Sequence, residues 1–188
     1  MLKNTKMVAG VIVLAVLVVI VAIWNARRGG EGMTIDLVAQ LGDAQKRSTW
    51  KQTPEALFGV SEVTIAGKTH KAIFAPPASR IKFKIEVPRR GALEVFYALR
   101  EDAWAAEGDG AQFRIGVSDG RTYEEYMKEA VNPKTRDRDR KWLPATIDLS
   151  AYEGQMVEIV LSTDPGPPDN RDARNDFCLW GDPKIKGR

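Results

Sequence analysis

Few side chains in this 188-residue chain are equipped for covalent or proton-transfer chemistry, since it holds a single histidine, His70, and a single cysteine, Cys178. Ser-His-Asp and Cys-His catalysis needs a histidine beside the nucleophile, and zinc sites recruit clusters of both residue types, so one of each leaves little to work with. Cys178 lies between Phe177 and Leu179-Trp180, which marks it as a buried thiol, and it has no partner for an intramolecular disulfide. Glu124 and Glu125 are adjacent, and neighbours in a strand point to opposite faces, so they do not converge on a glycosidic bond. Gly108-Asp109-Gly110 and Gly29-Gly30-Glu31-Gly32 lack the strand–loop–helix setting of a phosphate cradle. The sequence therefore predicts a non-catalytic protein with no nucleotide cofactor.

Binding chemistry is better represented. Sugar sites stack pyranose faces on exposed rings. Trp104, in the Ala-rich segment before Gly108, and Tyr123 and Tyr126, beyond the Asp119-Gly120 turn, are the candidate ligand-binding residues. An oxygen-rich segment, Thr163 to Asp176, carries Asp164, Asp169, Asn170, Asp172, Asn175 and Asp176, the donor type that calcium takes. Arg171 and Arg174 interrupt it and EF-hand spacing is missing, so it reads first as a long, solvated or partner-contacting surface loop, with a structural calcium as the sharper alternative. The most basic stretch, Lys134 to Lys141, sets Lys134, Arg136, Arg138, Arg140 and Lys141 against Asp137 and Asp139. Alternating signs without interleaved aromatics describe a solvated face, and nucleic acid is not an expected partner.

The elements that hold these residues begin with residues 7–24, 18 residues without a charge, which as a helix extend roughly 27 Å, close to a bilayer core. The sequence predicts a transmembrane helix there behind a tail at 1–6, with Trp24 as an interfacial anchor and Ala9, Gly10 and Ala15 as small residues for helix packing in the membrane. A signal peptide would place small residues where Trp24 stands, which favours an uncleaved anchor. Lys3 and Lys6 on one side balance Arg27 and Arg28 on the other, so flanking charge does not set the orientation. Residues 25–49 read as a linker and a short amphipathic helix, with Thr34 as N-cap, Ile35, Leu37, Val38 and Leu41 at helical spacing, and Gly42 as the stop. After Trp50 the period changes to two, most clearly over Arg80–Val87. Leu93–Leu99, Phe113–Val117, the strand after Asp119-Gly120, Ala145–Leu149, Met156–Leu161 and Phe177–Trp180 with Lys184-Ile185 follow. Short strands without long helices between them mean an antiparallel sandwich or barrel.

Trp142, the run Ile147-Asp148-Leu149-Ser150-Ala151-Tyr152-Glu153-Gly154-Gln155 and the closing Trp180-Gly181-Asp182-Pro183 resemble the galactose-binding-like jelly rolls of bacterial extracytoplasmic proteins, which include carbohydrate-binding-module-like domains. Val87-Pro88, Ala92-Leu93, Gly108-Asp109-Gly110 and Phe113-Arg114-Ile115 are similar to that family's earlier strands, and the resemblance covers roughly residues 50 to 186. It implies an all-β, antiparallel jelly-roll β-sandwich over 50–188, packing roles for Trp142 and Trp180, and export of the domain. The expected arrangement is a single-pass protein of a bacterial inner membrane, N-terminus cytoplasmic and β-domain periplasmic. Its expected role is that of a non-catalytic accessory or scaffold subunit of a larger membrane complex, with the lipid bilayer and other subunits as partners. The alternative is an envelope-anchored carbohydrate-binding module. Exposure of Trp104, Tyr123 or Tyr126 together in one concave patch separates the second from the first.

Overall fold

Alternation of apolar and charged residues from Ser79 to Glu86 buries Ile81, Phe83 and Ile85 and leaves Arg80, Lys84 and Glu86 in solvent, as a strand with one wet face requires. The same physics builds the rest of the molecule. A computed structural model describes residues 32–49, 57–166 and 172–187. Its strands are β1 (Thr34–Asp36), β2 (Gln45–Ser48), β3 (Val60–Ile65), β4 (Lys68–Phe74), β5 (Ser79–Glu86), β6 (Ala92–Leu99), β7 (Ala111–Ser118), β8 (Tyr123–Val131), β9 (Leu143–Asp148), β10 (Met156–Pro165) and β11 (Cys178–Lys186).

They form two antiparallel sheets. The larger runs β3-β4-β11-β6-β9, with β1 also on β11, and the smaller runs β2-β5-β10-β7-β8. One edge of β11 is shared, because β4 pairs with Leu179 to Gly181 and β1 with Lys184 to Lys186. Between the sheets, Trp180 of β11 meets Phe113 of β7 edge-on with ring centroids 5.1 Å apart, and Tyr97 of β6 lies 5.1 Å from Phe113. Cys178 is buried in the same core, and burial pushes its thiol pKa well up, as its apolar neighbours foretell. A second, smaller cluster lies on the other face of β11, where Leu179 packs with Ile65, Ala72, Ala98 and Trp142. Trp142 is held there by its indole N–H, which donates to the Lys68 carbonyl over 3.0 Å.

Strand direction sorts the connections. The β5–β6 turn (87–91), the β7–β8 hairpin (119–122), the β9–β10 connection (149–155) and residues 33 and 187 share one end of the sandwich. The longer segments 100–110, 132–142 and the β10–β11 connection share the other.

The amphipathic helix expected at 34–41 is not formed. Thr34, Ile35 and Asp36 pair with Lys186, Ile185 and Lys184, and the chain then turns so that Leu37, Val38 and Leu41 enter the main core. Residues apolar at helical spacing satisfy a sandwich equally well when a strand and a turn deliver them to one interior. With β1 and β2 in the sheets, the sandwich begins ahead of residue 50, inside the segment read as linker and helix. The β3–β4 pair carries no hairpin signal in the sequence, because its turn is Ala66-Gly67, with φ of 48° and 75°, where such a turn is ordinarily Asn-Gly or Asp-Gly. The tail at 1–6, the transmembrane helix at 7–24, its Ala9, Gly10, Ala15 and Trp24, and Trp50 lie outside the described residues. No helix among the described residues is long and apolar enough to cross a membrane.

The position of Leu37 is testable. Fully buried, it is expected to cost about 2–5 kcal/mol when changed to Ala, as large-to-small core substitutions do. A residue on a peripheral helix would cost within about 0.5 kcal/mol. Urea unfolding of Leu37→Ala distinguishes the two.

Candidate functional site

Tyr123 and Tyr126 are the aromatic side chains most open to solvent among the described residues, at 47% and 39%. Both belong to β8, an edge strand that exposes most of its length. They do not share a face. Tyr123 stands opposite Ser118 and leans over Gly116 on the outer surface of the smaller sheet, where a Cβ on Gly116 would lie 2.4 Å from the Tyr123 ring. Glycine at 116 is what lets the ring lie so close. The register then slips between Ile115 and Gly116, which pair with Met127 and Glu125 and leave Tyr126 as the extra residue of a bulge.

The bulge turns Tyr126 toward the open edge between the sheets. Its hydroxyl donates to Glu124 Oε2 over 3.0 Å, the Tyr152 hydroxyl donates to the same oxygen over 3.1 Å, and the two hydroxyls are 3.2 Å apart. Desolvation, with Tyr126 and the Glu124 carboxylate beside it, drives the Tyr152 phenol pKa far up. No sequence signal joins Tyr152 to Tyr126, because it arrives from a single 3₁₀ turn at Ser150–Tyr152, 26 residues away.

Trp104 sits elsewhere. It follows the 3₁₀ turn Glu101–Ala103 at the other end of the sandwich, its indole N–H donates to the Leu99 carbonyl over 2.9 Å, and it packs on the smaller cluster with Phe74 and Phe96. The three aromatic candidates therefore do not form one concave patch. Trp142 and Trp180 are buried and have packing roles. His70 is committed to structure, stacked on Phe96 at 4.1 Å, edge-on to Trp142 at 5.1 Å, and bonded through Nδ1 to Asp182 Oδ2 at 2.7 Å.

The oxygen-rich segment is less of a loop than its composition implies. Thr163 is buried within β10 and donates to the Ala75 carbonyl over 2.8 Å, and Asp176 is 2% exposed. Asp164 pairs with Arg114, Asp172 with Arg174, and the Asn175 amide donates to the Glu107 carbonyl, while Asp169 and Asn170 lie outside the described residues. Both carboxylate oxygens of Asp109 and Oδ2 of Asp176 are buried without a hydrogen-bond partner. Their chemistry suits a hard cation, but calcium takes six to eight oxygens. No group of three or more His, Cys, Asp or Glu side chains suited to a metal occurs among the described residues. Among the described residues the donor set does not fit calcium. A proton fits: burial first, then Asp109 and Asp172, push the Asp176 carboxyl up to about 8.

No protein-family profile matches the chain. An uncharacterized protein of Archaeoglobus fulgidus is 38% identical over 104 residues, which is 55% of this chain and 26% of that one, so this chain spans about a quarter of its relative. Among solved structures, a CBM51 module from Clostridium perfringens GH95, in complex with methyl-galactose, superposes with a TM-score of 0.58 at 12% identity, covering 82% of this chain and all of that one. The fold is an all-β antiparallel two-sheet sandwich similar to that of this module. A second such module, CBM51-2 with its INT domains from Clostridium perfringens ZmpB, in complex with GlcNAc, gives 0.52 at 16% identity over 82% of this chain and 32% of that one. At these identities the likeness is one of sandwich architecture, and it agrees with the antiparallel two-sheet topology.

Asp176 makes a pH prediction. Its carboxyl holds a proton in the folded chain up to about 8 but releases it near 3.8 when unfolded. The native state thus binds the extra proton between those values, and the stability contributed by this group falls as pH rises through that window. Asp176→Asn is expected to lose less melting temperature between pH 5 and pH 8 than the parent chain. Parallel pH profiles of the two would contradict the assignment.

Proposed function

We propose that this protein is a membrane-tethered carbohydrate-binding module whose glycan surface is built on β8, with Tyr123 and Tyr126 as its exposed rings. The observation that carries this reading is the pairing of a sandwich similar to carbohydrate-binding modules with two exposed tyrosines on an edge strand, one laid over a glycine and one hydrogen-bonded to a carboxylate. A flat ring offers a pyranose its apolar face, and the shared Glu124 oxygen and the Tyr152 hydroxyl beside it are polar groups suited to sugar hydroxyls. Methyl-galactose and GlcNAc, bound by the similar modules, point to sugars as the ligand class.

The tether is the apolar stretch 7–24, with the domain on the extracytoplasmic side. Residues 33 and 187 lie together at one end of the sandwich, which leaves the flank that carries β8 open to a glycan arriving from the side. The fold likeness supports glycan binding over the accessory-subunit role.

The test is retention of the full-length protein, purified in mild detergent, on a panel of immobilised neutral and acidic glycans. Selective retention is expected, with Tyr123→Ala and Tyr126→Ala each weakening it about fivefold, the equivalent of roughly 1 kcal/mol of lost ring contact. Trp104→Phe should leave it unchanged. The reading fails if no glycan is retained and a second membrane protein instead accompanies the chain in fixed stoichiometry.

A further inference from the structure

Antiparallel register places like charges directly opposite one another on the outer face of the smaller sheet. Arg47 of β2 faces Arg80 of β5, Arg80 faces Ser162 of β10, Ser162 faces Arg114 of β7, and Arg114 faces Lys128 of β8. One row across five strands therefore carries four cations, and at a strand spacing of about 4.8 Å it is roughly 19 Å long. Lys82 and Lys84 extend the positive surface into the next two rows of β5.

Carboxylates answer only part of this charge. Glu158 pairs with Lys82 at 2.7 Å, and Glu125 and Asp164 pair with Arg114 at 2.5 and 3.3 Å. Arg80 donates to the neutral Ser162 hydroxyl. Among the described residues, Arg47, Arg80 and Lys128 are exposed and have no carboxylate within ion-pair distance. Arg47 and Arg80, directly opposed with no carboxylate between them, weaken a sheet, and a local conflict of this kind is expected where a surface is retained for binding. The bulge at Tyr126 contributes to it. Were Tyr126 instead paired in a regular ladder opposite Ile115, Met127 would face outward and Lys128 inward, and the row would end at Arg114.

We propose that this face binds an anionic polysaccharide, such as a polyuronate, laid across the strands along the row from Arg47 to Lys128 with Tyr123 stacking beside it. The proposal rests on the glycan-binding reading above and specifies its ligand class. A polysaccharide fits better than a phosphate-rich surface, because Glu125, Glu158 and Asp164 stand among the cations. They accept hydrogen bonds from sugar hydroxyls but repel a dense array of phosphates.

The experiment titrates the full-length protein, in detergent, with polygalacturonate and with a neutral galactan of similar length, at low and high salt. Polygalacturonate should bind more tightly, with affinity that falls as salt rises. The double variant Arg80→Gln/Lys128→Gln should weaken it about tenfold, as the loss of a charge-assisted hydrogen bond does. That variant should melt no lower than the parent, because it relieves like-charge repulsion, and this control separates lost binding from lost fold. Equal, salt-independent binding of both polymers would overturn the anionic specificity and leave the glycan-binding reading standing. Binding to phosphatidylglycerol vesicles with neither polymer retained would overturn both.

Discussion

The contact between Trp180 and Phe113 is the point on which the two sheets depend. Trp180 is fully buried on β11, the strand that joins β1, β4 and β6, while Phe113 is fully buried on β7, the strand that carries β8. Their edge-to-face packing fixes which side of β7 is inside. With Phe113, Ile115 and Val117 committed to the core, Arg114 and Gly116 have no choice but to face outward. The proposed surface is thus the reverse side of the core, and a one-residue slip of β7 would erase it.

From there the outer face follows through register. β8 hangs on β7 alone, so its composition is free of core demands over most of its length, and it carries both exposed tyrosines. The bulge lets a single strand serve two surfaces, with Tyr123, Glu125 and Lys128 on the sheet face and Glu124 and Tyr126 at the open edge beside Tyr152. The far end of the sandwich is organised by burial instead. There, Asp109 and Asp176 sit without hydrogen-bond partners for three of their oxygens, and a proton on Asp176 is the least costly way to hold its carboxyl there.

Much of the architecture was readable from pattern, because β5 and β7 bury one face with apolar residues at every second position, while β6, β10 and β11 are short apolar runs that bury residues on both faces. Other elements are ones where residue pattern is ambiguous or broken. Ile35, Leu37, Val38 and Leu41 have helical spacing, yet a three-residue strand and a turn deliver them to the core, and no local signal separates the two outcomes. β3 and β4 carry no hairpin signal because Ala66 takes a positive φ that sequence assigns to Asn, Asp or Gly. Tyr123 and Tyr126 could be named as exposed rings from their place after a hairpin turn, but their separation onto two faces depends on a bulge that the residue pattern does not announce. The partners of Tyr126 and the cation row are products of long-range register, which a single chain read linearly does not contain.

Hydrogen–deuterium exchange of the full-length protein, with and without a bound oligosaccharide, tests the central claim most directly, because it reports where on the sandwich the glycan sits. Protection is expected on the smaller sheet alone, around Gly116 of β7 and Tyr123 to Lys128 of β8 and, two strands from β7, at Arg80 of β5. Protection at residues 100–110 and 172–177, at the opposite end of the sandwich, would contradict it.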